Sequence, residues 1–213
     1  MPPDRSTEPG WRAGQDEHES PPALVLMGDD TLRELASRSG LPQLTELSCQ
    51  GVSDLSPLAH VKHLTRLSLS GCSQIRDLAP LSGLTHLTTL NLARCFQVSD
   101  LTPLAGLTQL RELDLSWSLV RDLAPLSGLT HLINLNLCEC RQVSDLSPLA
   151  GLAQLSELDL GWSQVSNLAP LAGLTRLTRL DLASCKQVSR VSPASGARLL
   201  TWDQPRSDRK SVV

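Results

Sequence analysis

The chain has 213 residues, a formal net charge of −3 and an isoelectric point near 5.9. It lacks the basic stretch that marks a nucleic-acid binder, and no apolar run approaches the ~20 residues needed to cross a bilayer. Tyr is absent and Phe occurs once, at Phe96, so a core must be built from Leu and Val, with Trp11, Trp117, Trp162 and Trp202 as the large rings. The opening Met1-Pro2-Pro3-Asp4-Arg5 has no apolar signal-peptide core. A cytoplasmic protein is expected, with a secreted effector lacking a recognisable leader as the alternative.

Residues 1–22 are rich in Pro, Glu, Asp, Ser and Gly. Such a segment cannot offset its ordering entropy by burial and is expected to be a disordered tail. Residues 23–43 read as an N-terminal cap. Ala23 to Met27 is a short apolar run suited to a strand or extended cover. Thr31-Leu32-Arg33-Glu34 then fits a capping box, predicting a helix over 31–39 with Leu32, Leu35 and Ala36 on one face and Gly40 as its stop. That helix would shield the first coil of the repeat array from water, as terminal units of repeat proteins must.

From residue 44 to 197 one phrase recurs seven times. It runs Leu-x-x-Leu-x-Leu, a short variable stretch, then Asp-Leu-x-Pro-Leu-x-Gly-Leu, restarting at Leu64, Leu87, Leu110, Leu132, Leu155 and Leu177. A unit of 22 or 23 residues cannot bury its own apolar face, so the units must stack around one shared core. Leu67-Ser68-Leu69 and its equivalents alternate with the period of a half-buried strand. One such strand per unit, always in the same direction, predicts a parallel ladder at ~4.8 Å spacing. Asp54, Asp77, Asp100, Asp122 and Asp145, with Asn167, stand where a side chain caps a short helical turn. Pro57, Pro80, Pro103, Pro125, Pro148 and Pro170 forbid a long helix there, which predicts 3₁₀ turns on the convex side.

A longer period is superposed on the first. Residues 87–131 resemble 132–176, a double unit in which Trp117 matches Trp162, Glu112 matches Glu157 and Asp114 matches Asp159. The seventh unit decays at Arg190, Val191, Ala194 and Ala197, and residues 198–213 read as a polar tail. No C-terminal cap is evident in the sequence, which leaves that end as a route to self-association.

Six cysteines could suggest a disulfide framework, but Cys72, Cys95, Cys140 and Cys185 share one repeat phase, and Ser118 and Ser163 hold it in the intervening units. Reduced, inward-facing structural thiols are the simpler account. Cys138-Glu139-Cys140 has a Cys-x-Cys spacing without an accompanying ligand cluster, so no metal and no cofactor are expected.

The repeated Leu-x-x-Leu-x-Leu-x-x-Cys with Asp-Leu-x-Pro-Leu-x-Gly-Leu-Thr resembles the 22-residue leucine-rich repeats of bacterial internalins and of the phosphatase-1 regulatory leucine-rich proteins. The resemblance covers residues 44–193. It implies an α/β leucine-rich repeat solenoid with a parallel concave sheet, a convex side of 3₁₀ turns and a short N-terminal helical cap. Cys or Ser stands where internalin-like repeats usually carry Asn at the inward turn.

The solvent side of the ladder is the usual binding surface of a solenoid. By phase, its middle row is Ser48, Ser68, Asn91, Asp114, Asn136, Asp159 and Asp181. The row before it is Glu46, Arg66, Thr89, Glu112, Asn134, Glu157 and Arg179, and the row past the strand holds Gly71, Arg94, Trp117, Glu139, Trp162 and Ser184. The expected partner-binding set is Arg66, Asn91, Arg94, Glu112, Asp114, Trp117, Asn136, Glu139, Glu157, Asp159, Trp162, Arg179 and Asp181. Its acidic balance favours a basic or mixed-charge protein partner anchored on the two indoles. Packing of both rings onto neighbouring coils is the competing outcome.

The pairs Glu112/Asp114 and Glu157/Asp159 project in parallel at ~7 Å, within the range glycosidases use. Nothing in the pattern predicts a desolvated pocket around either pair, so they read as a solvated or partner-facing patch. His63, His86 and His131 share a polar coil edge with Gln109, Gln154 and Arg176 and read as solvated. The expected function is a non-enzymatic protein–protein interaction module, with no nucleic acid or membrane partner. The alternative is a recognition fragment or subunit of a larger bacterial effector or signalling protein whose activity lies elsewhere.

Overall fold

The computed structural model describes residues 24–37, 44–186 and 188. The expected tail over 1–22, the helix stop at Gly40, the decayed positions from Arg190 to Ala197 and the polar tail of 198–213 lie outside the described residues. Eight strands form one open sheet in sequence order, every pair parallel. They are β1 (Leu24–Met27), β2 (Glu46–Gln50), β3 (Arg66–Ser68), β4 (Thr89–Asn91), β5 (Glu112–Asp114), β6 (Asn134–Asn136), β7 (Glu157–Asp159) and β8 (Arg179–Asp181). The register places Leu47, Leu67, Leu90, Leu113, Leu135, Leu158 and Leu180 directly beside one another, one per coil. Each is buried, and Leu113 in the middle coil is only 1% exposed. The strict period of the leucines thus builds a single apolar column shared by all seven coils.

The opposite side of each of the first six coils is a 3₁₀ turn: Ser56–His60, Ala79–Leu81, Thr102–Leu104, Ala124–Leu126, Ser147–Leu149 and Ala169–Gly173. Proline stands in the first turn of every one, where its missing N–H is harmless and its fixed φ is an advantage. The expected capping is displaced by one residue: a leucine without a cap bond holds each N-cap position, and the Asp or Asn before it makes an Asx bond of fixed geometry at the turn entry. The Oδ1 atoms of Asp54, Asp77, Asp100, Asp122, Asp145 and Asn167 accept from the backbone N–H two residues later, at 2.8–3.0 Å. The bonds from Thr102 and Ser147 hold the Asp100 and Asp145 carboxyls below the ordinary carboxylate range.

The N-terminal cap differs from the sequence expectation in its start. The run from Leu24 to Met27 is a true strand, in parallel register with β2. Helix α1 (Gly28–Ser37) follows it without a loop, three residues earlier than a capping box at Thr31 would place it. Gly28 explains the difference: at φ 80° it turns the chain from strand directly into helix, a conformation that only glycine adopts freely. Thr31 is then an interior residue. Its hydroxyl lies within bonding distance of the Met27 and Gly28 carbonyls, 2.8 and 2.9 Å away, and caps nothing.

Asp29 in the first turn of α1 reaches across to the first coil. It accepts from the Ser53 N–H at 2.7 Å, the Ser53 hydroxyl at 2.6 Å and the Asp54 N–H at 3.1 Å. Arg33 reaches Asp54 at 3.1 Å. Leu32, 1% exposed, plugs the open end of the leucine column. The cap therefore seals the solenoid with the apolar packing of Leu26 and Leu32 and a set of charge-assisted bonds.

Candidate functional site

The outward face of the sheet is built from four rows, one residue of each per coil. The row preceding the strand leucine carries the long charged side chains. Arg66 pairs with Glu46 at 3.7 Å and Arg179 with Glu157 at 3.1 Å, each bridging to the coil before it. Thr89, Glu112 and Asn134 continue the row, half-buried between these pairs.

The middle row is less available than the sequence suggests. In Asn91, Asp114, Asn136, Asp159 and Asp181 the Oδ1 atom accepts from the N–H two residues on, at 2.7–2.9 Å. The reason lies in the ladder. The N–H groups of Leu92 and Arg94 pair with carbonyls of the next coil, at Asp114 and Ser116, while the N–H of Ala93 between them turns to the face. That donor must be satisfied, and the Asx side chain does so. Asn136 is further tied by an Nδ2 bond to Asp114 Oδ2 at 3.1 Å, and is 8% exposed. These residues brace the turn, with at most one oxygen or amide left for a partner.

One of them is also electrostatically unusual. Burial pushes the Asp159 carboxyl up to about 6, and the neighbouring Asp181 and Asp114 charges push in the same direction. The Gly161 N–H and Arg179 oppose the rise without cancelling it. The expectation that neither acidic pair sits in a desolvated setting is corrected here for Glu157/Asp159. Its Oδ1 is committed to the Gly161 N–H of its own turn.

A third row has no counterpart among the sequence expectations: Ser70, Ala93, Ser116, Cys138, Gly161 and Ala183. Strict alternation from the strand puts these positions on the face, and their uniformly small side chains are the available signal. Space is short there. A Cβ on Gly161 would stand 3.2 Å from Asp159 Oδ1 and 3.4 Å from Cys138 Sγ.

The fourth row carries the tryptophans, and its backbone is left-handed throughout. Gly51 and Gly71 have φ of 64° and 77°; Arg94, Trp117, Glu139, Trp162 and Ser184 have 59°, 64°, 61°, 64° and 59°. For a bulky L-residue this region is strained. The indoles of Trp117 and Trp162 are not packed between coils: the two residues are 43% and 45% exposed. Between them in the row stands Glu139, whose side chain is only 9% exposed and accepts from Arg141 Nε at 2.7 Å. The Arg141 guanidinium lies over the Trp162 ring, 5.7 Å from its centroid. Phe96 and Leu119, one residue beyond the inward turn of their coils, are 47% and 49% exposed and extend the apolar edge. Neither is marked as a surface residue by its type; the phase, one step past the inward Cys95 and Ser118, is the signal that places them.

The histidine edge holds no comparable constellation. The His63 and His86 rings stack at 6.4 Å, and His131 Nδ1 is 3.0 Å from the Thr108 carbonyl. Among the described residues no group of three or more His, Cys, Asp or Glu could hold a metal ion, and no helix is long and apolar enough to cross a membrane.

A family profile of leucine-rich repeats, two copies long, matches residues 62–106. The crystal structure of internalin C2 from Listeria monocytogenes superposes with a TM-score of 0.64 at 33% identity, covering 78% of this chain and 70% of that one. The chain is a leucine-rich repeat protein of the internalin type. A second internalin of the same organism, inlF, gives a TM-score of 0.53 at 28% identity, covering 71% of this chain and 52% of that one. A search of curated proteins returns no match.

The internalin-type solenoid here has an inward ladder of sulfur. Cys72, Cys95, Cys140 and Cys185 each donate to a carbonyl at the strand end of the preceding coil, at Cys49, Leu69, Leu115 and Leu160, over 3.0–3.4 Å. Ser118 and Ser163 meet the next coil's thiol, at Cys140 and Cys185, both at 3.4 Å. All six cysteines are free. Burial pushes the Cys49, Cys95 and Cys138 thiols up to about 12, which keeps them protonated at neutral pH. Cys138 and Cys140 turn to opposite sides of the sheet, so the Cys-x-Cys spacing cannot chelate one ion.

Proposed function

We propose that this internalin-type repeat domain is a non-enzymatic protein-binding module that engages its partner on the concave face of the sheet, along the edge marked by Trp117 and Trp162. The observation that carries this reading is their pairing of exposure with strain. Glycine holds the same left-handed position in the first two coils, at Gly51 and Gly71, so the fold has no need of an indole there. Two large exposed rings at strained positions are what a binding edge requires, since a rigid aromatic contributes much apolar area on contact at little entropic loss. Arg94, Glu112, Glu139, Glu157 and Arg179 surround them as the polar rim. Asn91, Asp114, Asn136, Asp159 and Asp181 support this edge from beneath more than they contact a partner. The six free thiols fit a reducing, cytoplasmic compartment.

The reading that the chain is a recognition unit of a larger effector or signalling protein draws on one observation: the chain spans only part of the solved internalins, 70% and 52% of their lengths.

The test compares wild type with a Trp117→Gly/Trp162→Gly double variant in affinity capture followed by calorimetry on the captured partner. Glycine suits the local backbone, so the variant should fold, as circular dichroism will report. Loss of ~2 kcal/mol or more of binding is expected. Undiminished binding by a folded double variant would refute the assignment.

A further inference from the structure

Trp117, Glu139 and Trp162 occupy the same left-handed position in three successive coils, so Glu139 stands between the two tryptophans in the row. Strand spacing in a parallel sheet sets Trp117 and Trp162 ~9–10 Å apart at the backbone. A flat group sandwiched between two rings needs two van der Waals separations, roughly 7–8 Å, which small ring rotations can supply. Glu139 is the group that needs explaining. Its side chain is nearly buried, at 9% exposure, yet its charge is met only from outside, by an Arg141 that is itself 65% exposed. Arg141 does two things at once: its Nε donates to Glu139 at 2.7 Å and its guanidinium covers the Trp162 face at 5.7 Å.

A carboxylate beside an aromatic face is the recognition chemistry for a planar cation, which takes the fork of hydrogen bonds and the ring quadrupole together, as Arg141 already does with Glu139 and Trp162. We propose that Trp117, Glu139 and Trp162 form a slot for an arginine side chain of a protein partner, and that Arg141, held on Glu139 and the Trp162 face, blocks the slot until the partner's arginine displaces it. The inference rests on the reading that this edge binds a protein, and it names the chemistry of the anchor. Charge around the slot agrees: across coils four to seven the rows carry Glu112, Asp114, Glu157, Asp159 and Asp181, with Arg179 already paired to Glu157. Arginine suits the slot better than lysine, because a compact ammonium cannot stack on a ring and fork to a carboxylate in the same pose. The Arg141 side chain is exposed, and it can swing away without disturbing the coil.

The experiment is a titration of the labelled full chain with a short blocked Gly-Arg-Gly peptide, followed by the indole N–H resonances of Trp117 and Trp162 in two-dimensional NMR. An equivalent citrulline peptide keeps the shape and removes the charge. Both indole signals should move with the arginine peptide at millimolar concentration and stay still with the citrulline peptide. Arg141→Ala vacates the slot and should tighten arginine-peptide binding about threefold, as expected when an internal competitor is removed. Glu139→Gln should weaken it severalfold. Equal shifts with citrulline, still indoles with arginine, or binding that is unchanged or weaker in Arg141→Ala would each overturn the slot. Failure here is separable from failure of the binding edge. Partner capture that is lost in the double Trp variant while the arginine peptide shows no preference removes the slot alone; capture that survives in that variant removes the edge.

Discussion

Asp159→Asn should make this protein more stable at neutral pH, although it removes a charge from a repeated acidic position. Asp159 sits between Asn136 and Asp181 on the sheet face, with Oδ1 on the Gly161 N–H at 2.8 Å. Burial and the neighbouring carboxylates raise it from 3.8 to about 6. A raised carboxyl contributes stability while protonated and loses it on ionisation. The contribution is therefore complete below about pH 4, declines as pH rises through 6 and is gone by pH 8. The full displacement corresponds to ~3 kcal/mol, and because Asp159 keeps part of its surface in water the expected effect is ~1–2 kcal/mol. Asparagine preserves what matters locally. Asn91 and Asn136 already accept the same turn N–H through Oδ1, and Asn136 Nδ2 donates to the Asp114 carboxylate. An Asn at 159 can repeat that bond toward Asp181. Urea denaturation from pH 4 to 8 should show wild type and variant converging near pH 4 and diverging by ~1–2 kcal/mol at pH 7, with the variant higher. Parallel profiles, or a variant destabilised at pH 7, would refute both the desolvation of Asp159 and the interchangeability of Asp and Asn in this row.

Removing one Asx bond at a turn entry, Asp122→Ala, should lower stability by ~1 kcal/mol, read as a shift in denaturation midpoint with an unchanged slope. Leu113→Ala, at the centre of the leucine column, should cost ~2–5 kcal/mol because the rigid coils on either side cannot close the cavity. Cys95→Ser and Cys140→Ser should fold and keep binding, since Ser118 and Ser163 already hold the same phase. In the native protein Cys95 should label slowly and then rapidly after unfolding, as mass spectrometry with a thiol reagent would report; fast native labelling would contradict its buried, inward placement.

The repeat makes most of the scaffold legible. Strand phase, proline positions and the leucine column follow from local periodicity, which stacking reinforces and nothing overrides. The surface is harder to read, because each discrepancy there depends on where one backbone group points. The middle row falls on the expected face, but the unpaired N–H at positions such as Ala93 claims the Asx oxygen, and only the hydrogen-bond pattern of the next coil shows that. The left-handed row is hinted at by Gly51 and Gly71, then hidden by five non-glycine residues at the same phase. The helix starts early because Gly28 joins strand to helix with no loop between, a junction that outweighs the capping pattern at Thr31. Phe96 looks by residue type like core material, although its place just beyond the inward turn puts it outside.

The left-handed row has a bearing on how such a surface changes. Seven coils hold that position within a narrow range, φ 59° to 77°, whether the residue is glycine, arginine, tryptophan, glutamate or serine. Side-chain identity and backbone path are therefore decoupled at one site per coil. Exchanging one non-glycine residue for another leaves the local strain nearly constant, so selection can rewrite the row residue by residue while the scaffold beneath it stays the same. Under the proposed binding role, partner choice can drift along this row without passing through a misfolded intermediate.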